Sequence, residues 1–127
     1  MIALLFALQL AAPDPTLTPG VVRPGFTRAQ ACGTRWGLDV RRVTVAMKRE
    51  VARRYGLSYP PPFPVEFDHL IPRALGGADH VDNLWPQPWP EARKGKDPEE
   101  VAHWRAVCAG RESLGEAQRY FRTWGQR

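Results

Sequence analysis

Thirteen prolines punctuate this chain of 127 residues, and their placement holds every regular element to a short piece. Proline has no backbone N–H and a fixed φ, so it interrupts helices and is kept out of central strands. Residues 13–25 hold Pro13, Pro15, Pro19 and Pro24 together with Gly20 and Gly25, and with few apolar anchors they read as a linker. Ser58 to Pro64 reads as a connector, and Pro86, Pro88 and Pro90 break the chain again. The length suits one compact domain, residues 26–127, and is too small for two separate cores.

Between these breaks the patterns are short but legible. Val43, Met47, Val51 and Tyr55 recur at helical spacing ahead of Gly56, which predicts an amphipathic helix over residues 44–55. Its Lys48, Arg49, Arg53 and Arg54 fall mainly on the outer face, where they serve solvation or phosphate contact. Phe63 to Phe67 alternates as a short strand ending at Asp68, and Val81 to Trp85 is a second extended segment beyond the Gly76-Gly77 turn. A β-hairpin with a long loop follows. A further helix is expected from Asp97 to Ala109, with Pro98 in its first turn and Gly110 past its end. Ser113 and Glu116 form a capping-box pattern that opens a last helix reaching about Trp124.

Hydrophobic residues make up 43% of the chain and charged residues 24%, proportions that exclude a wholly disordered protein. Eighteen Lys and Arg against thirteen Asp and Glu leave a formal charge of +5, a field that favours a polyanionic partner such as nucleic acid. Residues 1–12 are uncharged and largely apolar and end in Ala11-Ala12 before a Pro-rich break, which resembles a signal peptide; the other reading is an apolar tail packed on the domain. Export would place the protein in a secreted or periplasmic compartment, and if the stretch is not a signal the protein would be cytoplasmic.

Two cysteines are too few for a zinc site built from CxxC pairs. In an exported chain Cys32 and Cys108 suit a single disulfide, and two buried thiols are the alternative. A cysteine nucleophile is disfavoured, since a disulfide would consume both thiols. His80 reads as a loop residue and His103 as a packing residue, while most of the five tryptophans are needed for the core.

The informative stretch runs from Glu66 to Gln87: Asp68-His69, then Ile71-Pro72, the Gly76-Gly77 turn, and Asn83-Leu84-Trp85-Pro86-Gln87. This multi-part pattern resembles the HNH family of His-Me finger nucleases, and a weaker likeness extends from Cys32-Gly33-Thr34-Arg35-Trp36-Gly37 through Val107-Cys108-Ala109-Gly110 to Trp124. The resemblance implies an α+β fold, a small ββα-metal core with flanking helices, and a metal-dependent endonuclease that hydrolyses phosphodiester bonds. It also implies that both cysteines belong to the domain.

The residue types suit that chemistry. Asp68 offers a hard carboxylate oxygen for Mg²⁺ or Mn²⁺. His69, with an ordinary pKa of about 6.5, can take a proton from water near neutral pH. Adjacent side chains on a strand face opposite ways, so the pair must lie where the strand ends. Asn83 is carried over as the residue that orients His69 through a hydrogen bond to one ring nitrogen. At the position where the family commonly has a second metal-ligating His or Asn, this chain has Lys94, a poor ligand while protonated; Asp97 or Glu100 are the substitutes at hand. Arg73, Lys94 and Lys96 are read as phosphate contacts, with DNA favoured over RNA as partner. The rival reading is an exported nucleic-acid-binding protein that keeps the scaffold without turnover.

Overall fold

A computed structural model describes residues 12–33, 40–89 and 95–126. Among them are four helices and one antiparallel pair of strands: α1 (Arg28–Gly33), α2 (Val45–Arg54), β1 (Val65–His69), β2 (Leu84–Pro88), α3 (Asp97–Cys108) and α4 (Leu114–Arg122). The fold is α+β, as expected.

Local chemistry explains the element ends. The Thr44 hydroxyl accepts from the Met47 N–H and starts α2, and Gly56 at φ 71° follows its last turn. Ser113 caps α4 through the Glu116 N–H, and Gly110 at φ 77° follows α3. Helix α1, one and a half turns held by the Thr27 and Gln30 side chains, carries too little pattern to be foreseen.

The strand register pairs Val65 with Pro88, Phe67 with Pro86 and His69 with Leu84. Backbone bonds at Leu70 N to Asn83 O and Trp89 N to Pro64 O set the phase of the ladder. Antiparallel pairs alternate, so Pro86 and Pro88 occupy positions whose nitrogen faces away from β1 and needs no partner. Pro86 and Pro88, expected to break the chain, therefore lie inside β2, a correction that follows from this phase and from β2 having no second strand partner among the described residues; Pro90 lies outside the described residues. The segment Val81–Asn83, expected as extended, is a single 3-10 turn leading into β2.

Residues 65, 67 and 69 of β1, with 84, 86 and 88 of β2, share the face toward α2, where Phe67 and Leu84 join Val51, Ala52 and Leu57 in one buried cluster. Burying a side chain such as Phe67 is worth roughly 2 kcal/mol. The opposite face carries Glu66, Asp68, Trp85 and Gln87; Trp85 packs on Trp124, and Lys96 at the start of α3 reaches Asp68. A second cluster of Ile71, Leu75, Val107, Ala117 and Phe121 joins the loop after β1 to α3 and α4.

The stretch at 13–25, expected as a linker, is part of the domain. The Thr18 side chain is fully buried and donates to the Leu84 carbonyl while bonding Tyr55 Oη. Gly20, Arg23 and Val21 exchange backbone bonds with Asp82, Gly76 and Ala78, and Val22 bridges Gly77. The stretch shows no helical or strand periodicity to signal burial, yet the N–H groups of Gly20 and Arg23 and the carbonyl of Val21 find backbone partners in the domain. The disulfide joins Cys32 in α1 to Cys108 at the end of α3, 76 residues apart in sequence. No described helix is long and apolar enough to cross a membrane.

Candidate active site

Asp68 and His69 lie at the end of β1, where the chain leaves the sheet through Leu70 and Ile71. Their side chains leave the strand toward opposite faces, yet both line one cavity of about 230 Å³, together with Arg41, Glu66, Arg73, Asp97 and Glu100. The strand end thus resolves the geometric problem that two adjacent strand residues pose.

Nε2 of His69 is 2.7 Å from Oδ1 of Asp79. Asp79 also accepts from the Arg73 Nε (3.0 Å) and the Arg42 backbone N–H (2.8 Å). Burial pushes the Asp79 carboxyl up, but the Arg42 N–H, the His69 ring and the Arg73 guanidinium outweigh it and hold the pKa below the ordinary carboxylate value. An ionised carboxylate can only accept, so Nε2 carries the proton and Nδ1 the lone pair. Burial of the ring lowers the His69 pKa below 6.5, against the opposing pull of Asp79. His69 is therefore a neutral imidazole with a basic Nδ1 at neutral pH.

Asn83 does not orient His69. Its Oδ1 accepts from the Ile71 N–H (3.0 Å) and, more weakly, from the Val21 N–H, while Nδ2 donates to the carbonyls of Ile71 (3.0 Å) and Ala78 (3.1 Å). The fully buried amide thus staples the loop between β1 and β2, and Asp79 is the orienter. Glycine is obligatory where this loop closes. A Cβ on Gly77 would lie 1.7 Å from the Ile71 carbonyl oxygen, and Gly76, at φ 92°, lies against the Phe26 ring.

Lys96 is also placed differently from expectation. It is fully buried, with Nζ 2.9 Å from Asp68 Oδ2 and donating to the His69 carbonyl (2.7 Å) and to Glu100. With its donors so engaged it does not serve as a phosphate contact. Arg73 lines the cavity but gives Nε to Asp79 and one terminal nitrogen to the Val40 carbonyl. Arg41, unremarked in the sequence pattern, lines the cavity and donates to the Phe67 carbonyl. Lys94 lies outside the described residues. His80 caps the 3-10 turn, and His103 bonds Glu112 while packing on Tyr120, as loop and packing residues do.

Asp68, Asp97 and Glu100 each present a carboxylate oxygen, all within 4.8 Å of one another. Hard oxygens are the donor type that Mg²⁺ or Mn²⁺ takes; the Lys96 ammonium already contacts Asp68 and Glu100, so Asp68 Oδ1 and Asp97 are the carboxylate oxygens of this set that fit such an ion. Burial pushes the Glu100 carboxyl up to about 7 despite the adjoining Lys96 ammonium. Burial likewise raises Glu66, reinforced by Asp68 and Asp97. The amide of Gln87, directly across from Glu66 in the register, is buried with neither end bonded among the described residues.

No known family model matches the chain, and no curated protein or solved structure does.

Proposed function

We propose that the protein is a metal-dependent endonuclease of the HNH type, hydrolysing phosphodiester bonds of nucleic acid, with DNA the favoured substrate. The observation that carries this reading is the convergence of a tautomer-fixed His69 and the Asp68 carboxylate on one cavity at the end of β1. The ββα-metal core named by the resemblance corresponds to β1, β2 and α3 in this reading.

His69 Nδ1 takes a proton from water as the water oxygen bonds to phosphorus; the bond from phosphorus to the leaving 3′ oxygen of the sugar breaks and that oxygen is protonated from solvent. Asp79 holds the ring and stabilises the imidazolium that forms. Asp68 and Asp97, whose carboxylate oxygens lie within 4.8 Å of each other, would hold a divalent ion, which would supply charge neutralisation at the phosphate and the leaving oxygen. Arg41 and Arg73 line the same cavity and bring positive charge to the approaching phosphate. The net charge of +5 favours association with a polyanion, and the disulfide suits an oxidising compartment outside the cytoplasm.

The rival, a nucleic-acid-binding scaffold without turnover, draws on Lys96, whose ammonium already lies against Asp68 and Glu100. Incubating the purified protein with supercoiled plasmid and Mg²⁺ or Mn²⁺, beside an EDTA control and His69→Ala, separates the two. Metal-dependent nicking lost in His69→Ala is the expected result; plasmid retardation without nicking favours the scaffold, and undiminished nicking by His69→Ala overturns the assignment of the base.

A further inference from the structure

Lys96 is a charged side chain with no exposed surface, placed between two residues of the proposed site. Taking an ammonium out of water costs several kcal/mol, so a lysine so placed must be fully engaged. Its nitrogen lies 2.9 Å from Asp68 Oδ2 and donates to the backbone carbonyl of His69 and to Glu100. The two adjacent residues of β1 are thereby tied to one point at the start of α3. Trp85 Nε1, at 3.3 Å, is the second group on Asp68 Oδ2, while Oδ1 makes no hydrogen bond among the described residues. The side chain at the N-cap of α3 thus turns inward, where a capping residue would ordinarily serve its own helix.

We propose that Lys96 is a positioning residue of the nuclease site: its ammonium holds Asp68 by Oδ2 and His69 by its carbonyl, so that Asp68 presents Oδ1 and His69 its ring to the same phosphate. Glu100 anchors the ammonium in this arrangement and is not itself a metal ligand. This inference rests on the proposed nuclease reading and adds a residue whose donors the sequence reading assigned to phosphate. Lysine fixes which oxygen of the carboxylate is free and so where a bound ion would sit, while its own charge opposes that ion.

Two opposite effects follow from removing the ammonium, and together they set this role apart from a merely structural one. Lys96→Met keeps the length and apolar stem of the side chain but deletes a positive charge close to where Asp68 would bind an ion. Loss of like-charge repulsion tightens Mn²⁺ binding by about tenfold. Loss of the fixed geometry lowers kcat by about 100-fold, the scale that a displacement of 1 Å costs. A fold defect lowers the active fraction and leaves the Mn²⁺ affinity of the remainder unchanged.

The test measures Mn²⁺ binding by electron paramagnetic resonance and plasmid nicking at saturating Mn²⁺, for wild type, Lys96→Met and Glu100→Gln. Tighter Mn²⁺ binding with lowered kcat in Lys96→Met, and a smaller kcat loss in Glu100→Gln, support the proposal. Wild-type kcat in Lys96→Met, or weakened Mn²⁺ binding, overturns it while leaving the nuclease reading intact. If Lys96→Met does not fold, unchanged kcat in Glu100→Gln overturns it, and a lowered kcat with Mn²⁺ affinity retained supports it. A wild-type protein that neither binds Mn²⁺ nor nicks DNA overturns the nuclease reading and this inference with it.

Discussion

His69 Nε2 and Asp79 Oδ1 stand 2.7 Å apart, ten residues distant in sequence, and this pair decides which ring nitrogen of the histidine is basic. Asp79 is itself held by the Arg73 side chain and the Arg42 backbone, so the ring orientation is inherited from a loop on each side of the cavity. A ring fixed in this way bears its lone pair on Nδ1, as the proposed role of base requires.

Replacing Asp79 with Asn removes the charge that raises the His69 pKa while leaving a side chain of the same shape. Since burial already lowers that pKa below 6.5, the substitution lowers it further. The C2–H titration of His69, followed by NMR, is expected to move to lower pH, and the acid limb of the nicking profile to move with it. Turnover at neutral pH should fall by about 100-fold through loss of the oriented, stabilised base. The same linkage predicts a sign for stability. With a folded pKa below the unfolded value, the unfolded state binds the extra proton, so this contribution is present above pH 6.5 and lost as pH falls through the folded pKa. A His69 titration unmoved in Asp79→Asn would show that the contact does not act on the ring.

Asn83 belongs to the architecture of the loop. Truncation to Ala strips the Ile71 N–H and carbonyl of their partner inside the protein, at a cost of about 2 to 4 kcal/mol. Urea unfolding measures this directly, and the His69 titration of the folded Asn83→Ala protein should match wild type. Gly77→Ala is expected to be worse, because its Cβ would overlap the Ile71 carbonyl oxygen that Asn83 holds. An Asn83→Ala protein as stable as wild type would remove the amide from its stapling role.

The disulfide closes a long loop and so restricts the unfolded chain strongly. With the cysteines 76 positions apart in sequence, its removal in the Cys32→Ser, Cys108→Ser pair should cost about 4 kcal/mol. Thermal melts of the oxidised, reduced and doubly substituted protein should place the last two together and well below the first. Equal melting of all three would mean that packing around Arg28, which donates to the carbonyls of Val107 and Cys108, already holds α1 on α3.

Local signals were legible wherever they are local in origin. The caps at Thr44 and Ser113, the glycines after α2 and α3, the strand ending at the Asp68-His69 pair and the joining of Cys32 to Cys108 all follow from residues whose chemistry acts over a few neighbours or allows one partner. Tertiary structure alone decided which side chains meet. A sequence motif places Asn83 near His69 but cannot say that its amide turns to Ile71, and Asp79 carries no mark of a partner ten residues back. Lys96 reads as a phosphate contact until α3 is packed on the sheet, and the proline-rich stretch at 13–25 reads as a linker until its backbone meets the Gly76–Ala78 loop. Hydrogen bonds and ion pairs depend on distance in space, and for a chain this rich in loops that distance is set by packing between elements rather than by spacing along them.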